Sequence, residues 1–440
     1  MKLFGTDGLR GHAGQFPLDD GTVRQIGREL GRRLAASGNP TVVVGGDTRE
    51  STPRIVAQLS AGIVEAGGAV ACAGVISTPG VAEVVLGLHA GAGVSVSASH
   101  NPWQDNGIKI FGPDARKWPD AEEEALERKI LAEKGKGAPA PAPPVEADPA
   151  LSELYLDRMA TSVPVRLNGA HILVDAGNGA AFRLGPEALR RAGARVDPIC
   201  DAPDGRNINE GCGALHPENM LGAMREKGAA LGVAYDGDAD RSIFCDENGK
   251  ILDGDDVLWI IASDWKRKGI LNPAGVVGTV MSNFALEAAF AREEIPFCRS
   301  AVGDRNVARL MEETGATLGG ETSGHVLLPF SPAGDGILTT LLLASIVVES
   351  GQPLSRLATL QKTPQSLRNV RVARRVEIDD LPSVTLAVAR AREQFDGRGR
   401  IFLRYSGTEP LLRILVEGPD AGEVVQIATD LEAAVRAELT

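Results

Sequence analysis

Apolar runs that end in loop-forming residues recur along the chain, and a helical pattern follows most of them. Such runs occupy residues 41–46, 93–97, 171–179, 230–240 and 275–282. Strands that alternate with helices indicate parallel sheets, whose ligands bind beyond the carboxyl ends of the strands. The pattern therefore predicts an α/β protein whose functional loops follow its strands.

Changes in composition along the chain predict four domains. The Pro/Ala-rich stretch up to residue 150 interrupts all periodicity and is typical of a semi-rigid linker. We expect α/β domains over residues 1–145, 151–252 and 253–360, and a last domain over residues 364–440. The last domain has Arg-rich strands and a final amphipathic helix, which predicts a smaller α+β fold.

The charge balance narrows the class of partner. Lys and Arg number 46 against 58 Asp and Glu, which gives a net charge of −12. This balance argues against nucleic acids and anionic membranes, since both need an electropositive surface. We therefore expect a small-molecule partner. The longest apolar stretch, residues 337–348, is shorter than the ~20 residues of a membrane span and predicts a buried helix over residues 341–348.

The N-terminus and the cysteines indicate a cytoplasmic protein. No apolar segment near the N-terminus has the length of a signal peptide. The cysteines are scattered and contain no CxxC pair, which favours reduced core thiols over a zinc site or a redox motif. They are Cys72, Cys200, Cys212, Cys245 and Cys298.

The first candidate motif is SVSASHNPWQDNGIKIFG, in which a strand ends in a polar loop that exposes Ser99. The adjacent His100 is not expected to reach the geometry of a base for Ser99, and no GxSxG elbow is present, so a hydrolase triad is disfavoured. Lys109 returns towards the same pocket as a cation or proton carrier. An Asx/Pro turn capped by Ser99 explains the pattern equally well.

The second motif is YDGDADRS, where Asp236, Asp238 and Asp240 alternate after an apolar run. Three such carboxylates are tolerated together when a cation neutralises them. An EF-hand is excluded because Arg241 occupies the position of its required glycine and because the flanks have strand patterns. Hard oxygen ligands on a short β-loop suit Mg²⁺ with one position left for a phosphate oxygen. The alternative is a solvated acidic turn.

The third motif is GGETSGHV, which contains Glu321, Ser323 and His325. These side chains provide acceptors, donors and one titratable group, a combination that suits sugar hydroxyls. A turn with a satisfied core histidine is an equally good interpretation of this motif alone.

The fourth motif is RYSGTEPLLRILVEG, which follows a predicted strand. Ser406, Gly407 and Thr408 offer hydroxyls and backbone N–H groups to an anion. Arg404 and Arg413 add charge-assisted contacts, so the motif predicts a phosphate clamp, with a plain hairpin turn as the alternative. The glycine spacing is not that of a Walker loop.

A fifth segment, VDAGNGAAF, resembles a dinucleotide fingerprint but does not fulfil it. Phe182 stands where the third glycine belongs, so the segment predicts a strand-to-helix turn instead of an NAD site.

Five motifs together resemble the α-D-phosphohexomutase superfamily, and they stand in that family's order over nearly the whole chain. The motifs are FGTDGLRG at 4–11, SASHNP at 97–102, DGDADR at 236–241, GETSGH at 320–325 and RYSGTEP at 404–410. The resemblance implies a heart-shaped enzyme. It would have three related α/β domains with mixed, mostly parallel sheets and a smaller C-terminal α+β domain.

The resemblance also implies a role for each candidate residue. Ser99 would be the phosphorylated serine, and it would bind one Mg²⁺ together with Asp236, Asp238 and Asp240. The reaction centre would further contain Arg10, His100, Lys109 and Arg241. The sugar would contact Glu321, Ser323 and His325, and the phosphate that is not transferred would contact Arg404, Ser406, Gly407, Thr408 and Arg413.

The segments FGTDG, VGDR and SGTEPLLR favour members of the superfamily that act on glucosamine phosphate. The implied reaction converts glucosamine 6-phosphate to glucosamine 1-phosphate through a 1,6-bisphosphate, in a monomer or homodimer that supplies precursors of the cell wall. Two residues depart from the family pattern: Ala239 replaces a frequent glycine, and Asn306 replaces a frequent aromatic residue. Alternatives are a mutase for phosphoglucose or phosphomannose, a phosphatase, and a non-catalytic sugar-phosphate sensor.

Overall fold

The computed structural model describes residues 3–5, 7–133, 139–163, 165–406 and 410–440. These residues form two compact units. The larger unit contains Met1–Thr279 and Ser300–Thr359, and the smaller unit contains Val280–Arg299 and Leu360–Thr440.

The first sheet of the larger unit is mixed. Its strands are β1 (Phe4–Gly5), β2 (Gly8–His12), β3 (Thr41–Gly46), β4 (Ala69–Val75), β5 (Ala92–Val96) and β6 (Asp105–Phe111), in the order β1-β2-β6-β5-β3-β4. Its helices are α1 (Asp20–Ser37), α2 (Thr52–Glu65), α3 (Thr78–Leu88) and α4 (Asp120–Glu133). β3 pairs in parallel with β4 and β5, whereas β6 pairs antiparallel with β2 and β5.

Local sequence explains why these elements form. α1 begins where the Asp19 carboxylate accepts a hydrogen bond from Thr22 N at 3.0 Å, and it ends at Gly38 in the left-handed region with φ 80°. The helices α1 and α2 approach closely because Gly27 has no side chain at their contact. A Cβ on Gly27 would lie only 2.1 Å from the Leu59 carbonyl oxygen. The core of this part lies between these helices and the apolar run of β3.

The second sheet is also mixed. Its strands are β7 (His171–Asp175), β8 (Arg195–Ile199), β9 (Leu231–Tyr235), β10 (Ser242–Asp246) and β11 (Ile251–Leu252), in the order β11-β10-β9-β7-β8. Its helices are α5 (Pro149–Ser162), α6 (Ala181–Arg191) and α7 (Met220–Lys227). β7 pairs in parallel with β8 and β9, and the β9–β10 hairpin places residues 236–241 at its turn.

The third group of elements completes the larger unit. It contains α8 (Gly254–Arg267), β12 (Val276–Thr279), α10 (Asp304–Thr314), β14 (Leu318–Gly320), β15 (Val326–Leu327), α11 (Gly336–Ser350) and α12 (Leu354–Leu357). Between β12 and α10 the chain forms α9 (Phe284–Arg292) and β13 (Phe297–Ser300), which belong to the smaller unit apart from Ser300. β14 pairs in parallel with β12 and antiparallel with β15.

The longest apolar stretch of the sequence forms α11, as predicted. Its residues are buried from Gly336 to Ile346. In the part of the chain that the structure describes, no helix combines the length and apolar character that crossing a membrane requires.

The smaller unit is an antiparallel sheet packed against helices. Its remaining elements are β16 (Gln365–Arg371), α13 (Pro382–Phe395), β17 (Arg400–Tyr405), β18 (Leu411–Glu417) and α14 (Ala421–Leu439). The strands lie in the order β16-β18-β17, and α14 is the amphipathic helix that the sequence predicts. The buried Glu417 carboxylate accepts from Phe284 N at 3.0 Å and so fixes the start of α9 within this unit.

A buried carboxylate lies where α3, α5 and α11 meet. Glu83 is 4% exposed, and Arg158 Nε lies 3.6 Å from it. Burial, followed by the charge of Asp335, raises the pKa of Glu83 to about 7, although Arg158 opposes this rise. The folded protein therefore holds a proton on Glu83 that the unfolded chain releases above its ordinary pKa of about 4.5.

Glu83→Gln is expected to change the pH dependence of stability. Because the pKa of Glu83 is raised on folding, wild-type stability falls as pH rises between about 4.5 and about 7, and the neutral amide avoids this loss. The variant should gain roughly 3 kcal/mol at pH 8 and little at pH 4.5. Denaturant titrations at both pH values measure this gain, with Glu226→Gln at an exposed glutamate as the control. A gain that is equal at both pH values would contradict the explanation.

Candidate active site

Loops from the first two sheets meet in the larger unit and bring together the first two sequence motifs. The Ser99 hydroxyl donates to Asp236 Oδ2 at 2.6 Å. Lys109 Nζ, on β6, lies 2.8 Å from Asp238 Oδ2 and 3.2 Å from Asp240 Oδ2. These contacts join residues that are more than 125 positions apart in the sequence and that lie on loops and strands of two different sheets.

Ser99 is held in a strained, buried conformation. Its φ is 55°, in the left-handed region, and it is fully buried. Its N–H donates to Ser97 Oγ at 2.9 Å, and its carbonyl oxygen accepts from Arg49 Nη2 at 2.8 Å and from Asn209 Nδ2 at 3.0 Å. This network fixes both backbone polar groups of Ser99 and so compensates for the strain.

The expectation that His100 cannot reach Ser99 is wrong. The Ser99 hydroxyl lies 3.2 Å from His100 Nδ1. The left-handed backbone at Ser99 is the physical reason, because it turns two adjacent side chains towards each other. Burial, with the charges of Arg241 and Arg10, lowers the pKa of His100 to about 4, so the ring is neutral at pH 7.

The three aspartates form a buried cluster that fits a divalent cation. Their exposures are at most 4%, and one oxygen from each lies within 4.8 Å of the others. Burial, followed by the charges of Asp240 and Asp238, raises the pKa of Asp236 well above its ordinary value. Among the described residues, Asp238 Oδ1 and Asp240 Oδ1 have no hydrogen-bond partner. Such hard, partly unsatisfied oxygens are the ligand type that Mg²⁺ prefers.

Cations line the same cluster. Burial opposes the charge of Lys109, but Asp238, Asp240 and Asp7 raise its pKa well above the ordinary value. The backbone N–H of Arg241 donates to Asp236 Oδ1 at 3.2 Å, so the backbone of this arginine lies directly beside the aspartate cluster.

Arg10 reaches the serine loop from β2. Its Nη2 lies 2.5 Å from Asp7 Oδ2, and its Nη1 donates to Asn101 Oδ1 at 3.3 Å. The structure thus places Arg10, Lys109 and Arg241 around one buried site.

The third motif contributes a charged histidine to this site. His325 Nδ1 lies 3.6 Å from Asp240 Oδ1, and its Nε2 lies 3.7 Å from Asp304 Oδ2. Burial lowers the pKa of His325, but the neighbouring Asp240, followed by the charge of Asp304, outweighs burial and raises it to about 9. Glu321 Oε1 accepts from Gly303 N at 2.9 Å, whereas Ser323 is exposed.

The fourth motif lies in the smaller unit. Arg404 on β17 and Arg413 on β18 are directly paired in the antiparallel register. Burial and the charge of Arg413 lower the pKa of Arg404, which shows that like charges crowd this edge. Ser406 is buried directly after β17, while Gly407 and Thr408 lie outside the described residues.

Both departures from the family pattern have a structural account. Ala239 adopts a φ of 57°, the region that glycine occupies without strain. Asn306 Nδ2 donates to the Val302 carbonyl oxygen at 2.8 Å and so ties the first turn of α10 to the segment before it.

The motifs did not single out several residues that hold the site. Asp7 lies 3.0 Å from Lys109 and also pairs with Lys117. Thr78 donates to Asp238 Oδ2 at 2.6 Å. Asp7 and Asp304 stand inside the quoted FGTDG and VGDR segments, so their position in these segments was the available signal. Thr78 stands in no motif.

Arg49 is the most extensively bonded of these residues. It is 1% exposed, it pairs with Asp47 at 2.8 Å, and it donates to the carbonyl oxygens of Ser99, Asn101 and Pro102. A planar guanidinium reaches all of these acceptors at once, which an ammonium group cannot do.

Arg49→Lys is therefore expected to misplace Ser99. We expect kcat to fall roughly 10- to 100-fold with a smaller change in KM, because the loop loses its orientation while the substrate contacts remain. Steady-state kinetics measures the split, and Arg54→Lys at a half-exposed arginine of α2 is the matched control. A loss confined to KM, or an unchanged kcat, would contradict this role.

Family models match almost all of the chain. The descriptions are phosphoglucomutase/phosphomannomutase alpha/beta/alpha domain I over residues 1–136, domain II over 153–249, domain III over 253–363 and the C-terminal domain over 367–434. The chain therefore belongs to the phosphoglucomutase/phosphomannomutase family.

Within this family the chain is similar to phosphoglucosamine mutases. It is 45% identical to the phosphoglucosamine mutase of Symbiobacterium thermophilum, over 100% of this chain and 99% of the relative. It is 44% identical to that of Solibacter usitatus, over 99% of each. The predicted family and isomerase function are thereby confirmed.

Solved structures agree on the fold. A phosphoglucomutase/phosphomannomutase family protein from Burkholderia thailandensis aligns with a TM-score of 0.80 at 24% identity, over 99% of this chain and 97% of the other. An Aspergillus fumigatus N-acetylphosphoglucosamine mutase, in complex with GlcNAc-6P and magnesium, aligns with a TM-score of 0.70 at 19% identity, over 100% and 96%. The predicted fold class, with mixed sheets and a smaller C-terminal domain, is confirmed.

Proposed function

We propose that the chain interconverts glucosamine 6-phosphate and glucosamine 1-phosphate, with Ser99 as the residue that carries the phosphoryl group. The observation that carries this proposal is the contact of the Ser99 hydroxyl with Asp236 at 2.6 Å, inside a cluster of three carboxylates and Lys109. Full-length identity of 40–45% to curated phosphoglucosamine mutases supports the choice of sugar.

In the first half-reaction, phosphorylated Ser99 is the donor. The bond between Ser99 Oγ and phosphorus breaks, a bond forms between phosphorus and the free sugar hydroxyl oxygen, and the hydroxyl proton passes to a base. His100 is the candidate base because its Nδ1 lies 3.2 Å from Ser99 Oγ and so stands beside the transferred group. Lys109 and Arg241 stabilise the charge that spreads over the phosphoryl oxygens.

Asp236, Asp238 and Asp240, with an oxygen of the Ser99 group, would hold one Mg²⁺. When bound, this ion neutralises phosphoryl oxygen charge and helps to orient the group for in-line transfer. The buried, partly unsatisfied oxygens of the cluster support this assignment.

In the second half-reaction, glucosamine 1,6-bisphosphate reorients and returns its other phosphate to Ser99. Glu321, Ser323 and His325 would contact sugar hydroxyls and thus hold either orientation. The phosphate that is not transferred would bind a set of residues in the smaller unit: Arg404, Ser406, Gly407, Thr408 and Arg413. The direct pairing of Arg404 and Arg413 across β17 and β18 brings two cationic side chains to one place, which supports an anion site there.

The proposal extends to organisation and context. We place the domain boundaries at residues 1–145, 151–252, 253–360 and 364–440. We place the enzyme in the cytoplasm as a monomer or homodimer, without a nucleic-acid or membrane partner. Its product would enter amino-sugar metabolism for cell wall precursors.

A mutase assay tests the function. Purified enzyme is primed with a hexose 1,6-bisphosphate and incubated with glucosamine 6-phosphate, and the appearance of the 1-phosphate is followed. We expect conversion with a higher kcat/KM than for glucose 6-phosphate or mannose 6-phosphate. Preference for a neutral sugar would overturn the substrate assignment, and steady release of inorganic phosphate in place of isomerisation would overturn the mutase reaction.

A further inference from the structure

A second cluster of metal-ligating or redox-active side chains lies in the second sheet, outside the site described above. Cys200 follows β8, and Cys212 ends the loop that begins there. Both Sγ atoms and a carboxylate oxygen of Asp175 lie within 4.8 Å of one another. Cys212 is 1% exposed, whereas Cys200 is partly exposed to solvent.

The surroundings favour thiol chemistry over a metal site. Both carboxylate oxygens of Asp175 already accept backbone hydrogen bonds, from Gly177 N at 2.9 Å and from Gly213 N at 3.0 Å. A hydrogen bond from Cys200 lowers the pKa of Cys212, whereas the same contact and burial raise the pKa of Cys200, so Cys212 is the thiol of the pair that ionises more readily. The open side of Cys200 gives a diffusible oxidant access to the pair.

The loop between the two cysteines, residues 200–212, contacts the reactive serine loop. Asn209 Nδ2 donates to the Ser99 carbonyl oxygen at 3.0 Å. Gly205 O accepts from Glu50 N at 2.8 Å, and Arg206 pairs with the Glu50 carboxylate at 2.8 Å. The position of the loop 200–212 is therefore coupled to the position of Ser99.

The loop 200–212 is packed so tightly against the serine and aspartate loops that it cannot move without displacing them. A Cβ on Gly237 would lie 2.4 Å from the Ser99 carbonyl oxygen and 3.0 Å from Asn209 Nδ2. Three segments thus pack around one carbonyl group, so a shift of Asn209 changes the packing of both the serine loop and the aspartate loop. Cys200, at the start of the loop, already has a strained φ of 49°.

We propose that Cys200 and Cys212 form a reversible disulfide when a hydroperoxide oxidises them, and that this bond lowers turnover by displacing the loop 200–212. Two S–H bonds and the O–O bond of the peroxide break, one S–S bond forms, and hydrogen peroxide is reduced to two waters. Small thiols reverse the reaction by thiol–disulfide exchange. The bond requires sulfurs about 2.05 Å apart, so closure draws the two ends of the loop together.

The effect on turnover rests on the proposed function, whereas formation of the disulfide does not. Full-length protein is treated with hydrogen peroxide, free thiols are alkylated, and the protein is digested and analysed by mass spectrometry. We expect the loss of two hydrogen atoms in a species that links Cys200 to Cys212, and its reversal by dithiothreitol. The mutase turnover of the fully oxidised protein should be roughly tenfold lower than that of the reduced protein, and it should recover on reduction.

Two variants separate the explanations. Cys200→Ser should keep its activity in reductant and lose both the disulfide and the inhibition. Cys298→Ser, at another partly exposed cysteine, should stay as sensitive as the wild type. The proposal is overturned if no link between Cys200 and Cys212 forms, if the link forms with unchanged turnover, or if the reduced protein as purified holds stoichiometric zinc that Cys200→Ser loses. If the mutase assay fails while the reversible link still forms, the fault lies in the proposed function and not in the thiol pair.

Discussion

Ser99→Ala is expected to abolish mutase turnover and to leave the fold intact. The substitution removes the oxygen that carries the phosphoryl group, and no other described hydroxyl donates to Asp236. Loss of a covalent nucleophile costs roughly 10⁴-fold or more in kcat. The backbone bonds that hold residue 99 use its N–H and carbonyl groups, so they survive in the variant.

Labelling makes the result specific. Wild-type enzyme incubated with a labelled hexose 1,6-bisphosphate should incorporate phosphate on Ser99, and the variant should incorporate none. Ser345→Ala removes another buried serine hydroxyl, which donates within α11 to Leu342 O, and should behave as the wild type. Near-normal turnover of Ser99→Ala would remove the basis of the mechanism.

The sequence predicted the positions of the reactive loops because each motif directly follows an apolar strand. The turn between β9 and β10 holds Asp236, Asp238 and Asp240, and the end of β5 leads into Ser99. Ligands bind beyond the carboxyl ends of parallel strands, so the type and position of these residues predicted two functional loops. The two loops follow strands of different sheets, so this rule did not predict that they would meet. In the structure the two loops contact each other through Ser99 and Asp236.

Two of the supporting residues, Arg49 and Asn209, were beyond sequence reasoning because they bind a backbone group. Arg49 and Asn209 donate to the Ser99 carbonyl oxygen, an acceptor that every residue has. Nothing in their local sequence indicates this partner. The contact of His100 with Ser99 was missed for a related reason, since it depends on a left-handed φ that the residue type does not predict.

The net charge of −12 favoured a small-molecule partner but gave no indication that the proposed partner is an anion. A phosphosugar is an anion, yet it would meet Lys109, Arg241 and a protonated His325 in the larger unit. Burial makes these few cations effective, because interactions are stronger where water is excluded. The carboxylates beside them keep His325 charged by raising its pKa to about 9. Acidic surface and cationic site are therefore compatible.

Asp238→Asn is expected to remove both activity and the response to Mg²⁺. Asp238 Oδ2 accepts from Thr78 Oγ1 and Lys109 Nζ, while Oδ1 has no hydrogen-bond partner among the described residues. An asparagine keeps one acceptor for these donors but places an N–H₂ group at the second position, where a cation needs an oxygen. Affinity for Mg²⁺ should fall at least about 100-fold, with a comparable loss of kcat at moderate Mg²⁺.

Thermal unfolding separates this ligand role from a structural one. Without metal, the variant should be at least as stable as the wild type, because one of three mutually repelling carboxylates is neutral. Added Mg²⁺ should raise the melting temperature of the wild type and not that of the variant, since only a ligand that binds the folded state stabilises it. Asp246→Asn, at the opposite end of the same β9–β10 hairpin, should keep the full Mg²⁺ response. If chelator-treated wild-type enzyme turned over at full rate, or if Asp238→Asn kept its Mg²⁺-dependent stabilisation, the three aspartates would not be the metal site.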